Sequence, residues 1–424
     1  MPQSESTQAS SKTRAALAAR NITLVASGAA VSTFGTGLYV VGVVLYITEQ
    51  LNSPGIVSAF NFLAFAPAAL LARPIGSLVD RASKKYLIVG SDAARGMVMV
   101  AFGTWASLVA APSVTLLLTF GFLLGLGQAV FVPSVHAYMP ELVPETNLPR
   151  ANAVRASSSQ LSNAAGMASA GFLLPVLGLP ALLIVNGVSF LLSALPEAAL
   201  QSQVPAHRSE SATTERTPNA VTATLFGDKR LASLTVVNTV MYGLSAPIVV
   251  TVPFIVKQSA GAGSPLTGLV FAAMVMGGLA GFAFASMVAR KYRREGEMIR
   301  VALLLGALAL SLVSVSPVTA ILFIAAPLFG ATAAIVHVGV ITLIQRITPP
   351  GGRGRVFAAI EAFAAAAAPV GYVVGGLLGS VLLSRLQVIY AGLSGIVIVV
   401  LLMTFAALRT PASSPAERTS EQDY

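Results

Sequence analysis

Residues 98–118 pass without one ionisable side chain, and long apolar blocks of this kind recur along the whole chain, as at 301–315. Crossing a hydrocarbon core of ~30 Å takes about 20 such residues in an α-helix. The blocks therefore predict an all-α membrane protein. Charged residues make up only 10% of the 424 positions and mean hydropathy is +0.80, whereas soluble domains carry roughly 25% charged residues. Strand-length alternation is missing, which argues against an outer-membrane barrel. The net charge of +10 does not point to nucleic acid, because the basic residues sit in short loops between apolar blocks. With no cysteine there is no disulfide, thiolate metal site or thiol nucleophile. Residues 1–20 hold Lys12, Arg14 and Arg20 and are too polar for a signal peptide, so the first span itself is expected to target the chain.

Apolar runs read against proline, glycine and charge breaks give spans at 22–48, 55–79, 86–110, 113–138, 151–175 and 180–198. A second set follows at 231–256, 266–289, 298–315, 318–345, 356–383 and 387–408. Twelve spans put both ends on one side. With the tails and the even-numbered connections in the cytoplasm, 22 of the 26 basic residues lie there, as positive-inside bias requires. Lys257 and Arg385 then fall outside, Arg73 and Arg95 lie within spans, and Trp105 sits near the outer end of span 3. The expected division is a disordered tail at 1–20, a six-helix bundle over 21–198 and a cytoplasmic linker at 199–229. A second bundle at 230–409 and a disordered tail at 410–424 complete it.

The halves echo each other. After span 4 the chain reads Pro140-Glu-Leu-Val-Pro144 and on to Arg150; after span 10 it reads Gln345-Arg-Ile-Thr-Pro349 and on to Arg355. In both copies a proline stands six residues ahead of an arginine that opens the next span. The basic 2–3 loop (Arg81, Lys84, Lys85) is matched by Arg290, Lys291, Arg293 and Arg294 between spans 8 and 9.

The 2–3 loop, Gly76-Ser-Leu-Val-Asp80-Arg81-Ala-Ser-Lys84-Lys85, resembles the signature loop of the major facilitator superfamily. That resemblance implies two pseudo-symmetric six-helix bundles, substrate bound between them near the midplane, and a loop that latches the halves in the outward-facing state. Gly76 is expected to let two helices approach closely, and Asp80 to accept hydrogen bonds from a helix N-terminus. Read from the residues alone, the loop is a basic stretch that sets topology. Asp92 and Arg95, three apart, share a helix face and can pair; an ionisable pair inside a membrane is costly unless satisfied. We expect a structural or gating cluster there, with Glu361 of span 11 able to join it. Ser91-Asp92-x-x-Arg95 together with the Pro-Glu-Leu-Val-Pro stretch resembles the branch holding enterobactin exporters and macrolide efflux pumps, and also lysophospholipid transporters. The resemblance covers about residues 25–405.

Three departures from that family pattern stand out. Met167 occupies the place of a proline in span 5, Gly121–Gln128 lacks the arginine common in span 4, and Thr36 follows Phe34-Gly35 where relatives often carry an acid. Possible proton sites are therefore Asp92, Glu361 and His337, since histidine titrates near neutrality; His136 sits at the matching place of the first half, a turn shallower. An imidazole that only hydrogen-bonds a neighbouring helix is the plainer reading of both. In relatives, spans 1, 4, 7 and 10 line the centre, which makes Tyr39, Gln128, Phe131, Asn238, Tyr242 and His337 the cavity candidates. A cavity with so few polar groups suits a hydrophobic or amphipathic molecule, although each residue reads equally well as packing.

The leading expectation is a secondary transporter, monomeric and multi-pass in the bacterial plasma (inner) membrane, exporting a drug, siderophore or secondary metabolite by alternating access. Its partners would be that small molecule and the lipid bilayer, with no nucleic acid, no metal and no cofactor beyond the proton gradient. Lysophospholipid transport is the alternative, and a non-transporting receptor or sensor is the rival from another class. An enzyme would need a catalytic or metal-ligand constellation, and His136, His207 and His337 stand far apart in the sequence.

Overall fold

The computed structural model describes residues 2–109, 113–203, 228–261, 264–292, 294–348 and 353–409. Most of the expected linker and the 410–424 tail lie outside them, as do the side chains of 289–293 and of Glu361. The described elements are helical throughout. They are α1 Pro2–Tyr46, α2 Pro54–Leu70, α3 Ala72–Arg81, α4 Lys84–Ser107, α5 Val114–Leu142 and α6 Leu148–Ala198. Then come α7 Lys229–Ala260, α8 Ser264–Tyr292, α9 Glu295–Val315, α10 Thr319–Ile347, α11 Arg353–Val381 and α12 Leu386–Arg409. Among the described residues, 10 helices are long and apolar enough to cross a membrane, and the α2–α3 pair raises this to 11 if read as one bent span.

Two breaks have local causes. The 58° bend between α2 and α3 lies at Leu71, where Pro74 takes away the donor that would have met the carbonyl of Leu70. Within α6, Gly178 has φ 75° and ψ 166°, a conformation open to glycine and strained for other residues. Pro180 follows and removes another helical donor. Without that break, 51 residues at about 1.5 Å each would be more than twice as long as a ~30 Å core requires.

The first helix departs from expectation. Residues 2–20, read from sequence as a disordered tail, continue α1 upstream of its apolar block. Ala18 is buried, and Arg20 donates to the Ala199 carbonyl at 3.1 Å. Asn21, fully buried, donates to the carbonyls of Leu142 (2.9 Å) and Gln201 (2.8 Å) and so ties α1 to the ends of α5 and α6. A buried amide with both donors engaged fixes three chain segments at one point. At the far side of the linker, Asp228 caps α7 by accepting from the backbone N–H groups of Arg230 and Leu231.

The chain divides into two compact units, residues 1–46 with 63–212, and residues 47–62 with 213–424. Inside the first, α1 lies along α6, α4 packs on α5 and α6, and α3 on α5. Inside the second, α7 lies along α11, α8 along α10, and α9 packs on α10 and α12. The scheme is the same in both. The segment 47–62 belongs to the second unit because Lys257 at the end of α7 donates to the Thr48 carbonyl (2.7 Å) and to Asn52 Oδ1 (3.1 Å). The Cα of Gly376 on α11 also leaves room for Ser58, whose side chain a Cβ there would strike.

The internal repeat extends to atomic contacts. A shift of 205 residues carries Pro144 onto Pro349 and Arg150 onto Arg355. It also carries Gly125, against the Ala64 backbone, onto Gly330, against the Met274 backbone, and Gly166, against Phe34, onto Gly371, against Gly243. Small residues let helix backbones meet where lipid provides no hydrophobic drive between helices.

One repeated contact is invisible to residue matching. Lys84, the first residue of α4, pairs with Glu141 of α5 at 3.0 Å. Glu295, the first residue of α9, pairs with Arg346 of α10 at 2.8 Å, and Arg346 is Glu141 shifted by the same 205 positions. The salt bridge recurs with its charges exchanged. Glu295 is only 3% exposed, so leaving it beside a like charge should cost roughly 3–5 kcal/mol; the half-exposed Lys84 pair is worth about 1 kcal/mol or less. Arg346→Glu is thus expected to lower the thermal unfolding midpoint in detergent well beyond Glu141→Lys. The double exchange Glu295→Arg with Arg346→Glu should recover most of the loss.

Candidate functional site

Helices α4, α5 and the second part of α6 meet around a buried guanidinium in the first unit. Asp92 is fully buried and Arg95 is 5% exposed. They lie one helical turn apart on α4 and form an ion pair. Arg95 also donates to the side-chain oxygen of Gln128 on α5. Phe131 of α5 and Phe190 of α6 cover its plane, with centroids 4.5 and 4.3 Å away, an arrangement favourable to a desolvated cation. Ser193 of α6 donates to the second Asp92 oxygen. All five groups come from one face of each helix, brought together where α4 packs against its neighbours.

Glu197, one turn beyond Ser193, is the residue the sequence reading missed. It is 5% exposed, lies within hydrogen-bonding reach of Asp92 and feels the charge of Arg95. Its Oε2 has no hydrogen-bond partner. The signal was present in Ser193-x-x-x-Glu197, a spacing that stacks both side chains over one helix face, but the residue lies at the last turn of a span and reads there as a boundary charge.

The other expected residues fall into separate places. Asp80 and Arg81 are exposed, and among the described residues no atom lies within 4 Å of a Cβ built on Gly76, so the close helix approach expected at that glycine is not found there. Lys85 donates to the Leu200 carbonyl at 2.9 Å and Lys84 is paired as above, so these loop lysines tie the first unit together. Glu361 lies on α11, its side chain outside the described set. Among the cavity candidates, Tyr39 and Asn238 are buried. Gln128 and Phe131 belong to the Arg95 cluster. Tyr242 and His337 meet in the second unit with ring centroids 6.2 Å apart, and Phe282 of α8 approaches the same imidazole at 6.1 Å. His136 stands 3.4 Å from the Arg155 guanidinium on α6. Among the described residues no three His, Cys, Asp or Glu side chains converge on a metal position.

The fold and the chain can now be set beside known proteins. The model of the Major Facilitator Superfamily matches residues 25–365 and, a second time, 234–423. The chain belongs to that superfamily. Macrolide efflux protein A of Streptococcus pyogenes is 25% identical over 368 residues, covering 83% of this chain and 87% of that protein. The MFS-type transporter YfiS of Bacillus subtilis is 23% identical over 380 residues, 84% of this chain and 86% of its own. A bacterial homologue of ferroportin in an inward-facing state superposes with a TM-score of 0.72 at 16% identity over 92% of this chain and 99% of that one. The nucleoside transporter NupG gives 0.71 at 11% identity over 92% and 99%. These structural likenesses carry the fold alone. The protein is a multi-pass membrane transporter, and its first unit buries the Asp92, Arg95 and Glu197 side chains together.

Removing one partner of a buried ion pair leaves the other uncompensated and costs roughly 3–5 kcal/mol. Arg95→Met should accordingly destabilise the purified transporter strongly, and Arg95→Lys should not restore it, because an ammonium cannot serve Asp92 and Gln128 as a planar fork. The Asp92→Asn, Arg95→Met double variant should lose less than the two single losses added. Thermal unfolding of the four proteins in detergent measures this coupling.

Proposed function

We propose that this transporter exports a hydrophobic or amphipathic small molecule (a drug, siderophore or secondary metabolite) across a bacterial inner membrane by alternating access. In this reading the chain crosses twelve times, with α2–α3 as one span and α6 as two, and both ends lie in the cytoplasm. The observation that carries it is similarity over most of the length to a protein described as a macrolide efflux protein. The site chemistry supports it. Asp92 and Arg95 of the first unit are engaged by each other, Ser193 and Gln128, and His337 of the second unit is framed by the rings of Tyr242 and Phe282. Neither arrangement offers the charged ligand set that a sugar phosphate or dicarboxylate demands.

A proton gradient is the energy source in this reading, since the chain places ionisable groups within its spans at a cost that only function or pairing justifies. One feature favours the lipid alternative. Between α1 and α6 the first unit carries an open groove of about 490 Å³ lined by Ala30, Val31, Phe34, Val185, Val188 and Leu192, wide and apolar enough for an acyl chain.

Cells expressing the chain should lose a lipophilic cationic dye, or a macrolide, faster than control cells, and a protonophore should abolish the difference. Export that persists undiminished with the protonophore would overturn proton coupling. No export of either compound, with lysophospholipid movement restored in the same cells, would replace the drug reading with the lipid one. His337→Gln is expected to slow dye export several-fold at unchanged protein level.

A further inference from the structure

Two carboxyls and one guanidinium are buried together in the first unit, and their charges do not balance. Asp92 is fully buried, and Arg95 and Glu197 are each 5% exposed. If both acids were ionised the group would carry a net negative charge away from water, and two neighbouring carboxylates repel. A proton on one of them removes the imbalance and lets the carboxyls hydrogen-bond to each other. We propose that Asp92 and Glu197 hold one exchangeable proton between them, and that Glu197 is the group through which it enters and leaves. This deepens the proton-coupled reading above and rests on it for its role in transport, though not for its existence.

The geometry separates the two acids. Both Asp92 oxygens are engaged, one by Arg95 and the other by Ser193. Glu197 keeps Oε2 without a hydrogen-bond partner. It lines a cavity of about 20 Å³ together with Arg155, Tyr138, Phe131, Val135 and Leu200, room for roughly one water molecule.

Few charged or titratable groups surround the pair. From α1 only Val25 and Ala29 line the cavity, and Gly28 meets the Glu197 stem. From α4 come Asp92 and Arg95. From α5 comes Tyr138, with His136 held at 3.4 Å on Arg155. From the first part of α6 comes Arg155, whose Nε is also buried without a partner. Once the proton leaves Glu197 for water, the cluster holds two carboxylates against the single charge of Arg95, which drives the proton's return.

The test is infrared spectroscopy of the full-length transporter in lipid at neutral pH, in H₂O and in D₂O. A C=O stretch of a protonated carboxyl is expected, shifted by deuterium, lost in Glu197→Gln and shifted in frequency in Asp92→Asn. Glu197→Asp should retain such a band at altered frequency, which shows that its loss in Glu197→Gln is not mere unfolding. No such band in the wild type, or a band unchanged in both Glu197→Gln and Asp92→Asn, would overturn the shared proton. The two readings fail separately. Dye export indifferent to a protonophore, with the Glu197-dependent band present, sinks proton coupling and leaves the carboxyl pair standing.

Discussion

A guanidinium placed inside a bundle of apolar helices has to be answered by the bundle, because no solvent reaches it to do so. Arg95 is answered by Asp92 for its charge, Gln128 for a further donor, and the faces of Phe131 and Phe190, and of its donors only Nε–H is left without a hydrogen-bond partner among the described residues. These partners sit on three helices, so the contact between α4, α5 and α6 is specified by one side chain. Apolar packing between helices in lipid gains little from leaving the lipid, and a directional cluster supplies register that packing alone leaves loose. The price of such a cluster is that every member is needed.

The second unit solves the same packing problem without the cluster. The Gly330 and Gly371 approaches reproduce those of Gly125 and Gly166, and the α9–α10 salt bridge reproduces the α4–α5 one with reversed sign. The α9–α12 contact carries Ser394, bonded to Ser311 and to the Ala307 carbonyl; Arg300, which is Arg95 shifted by 205 positions, lies over the Phe405 ring at 5.0 Å, and Gly306 meets Thr332 between α9 and α10. Helix contacts have been retained in both copies; among the described residues the first unit buries Asp92, Arg95 and Glu197 together, and the second buries Glu295 against Arg346.

Much of the fold was legible in the sequence. The described helix ends lie within four residues of the expected spans everywhere except at the start of α1, since long apolar runs and their proline and charge breaks are set by bilayer thickness. The α1 extension was missed because its residues are polar and tied to distant partners such as Ala199 and Gln203. Of the site, Asp92 with Arg95 could be read from a three-residue spacing. Gln128 and Phe131 were singled out as cavity residues, but their attachment to Arg95 is a contact between helices that spacing does not encode. Glu197 and the exchanged salt bridge were missed for opposite reasons. A glutamate at a span end looks like a topological boundary, and a reversed ion pair looks like no match at all.

In the proposed reading the charge cluster of the first unit couples a proton to export. The most direct measurement is made on proteoliposomes holding a preset pH gradient, followed with a pH-sensitive fluorophore while a transported dye is added. Dye should hasten the collapse of the gradient for the wild type and leave it unaffected for Glu197→Gln. A gradient that decays at the same rate with and without dye in wild-type vesicles that still move the dye would contradict the account.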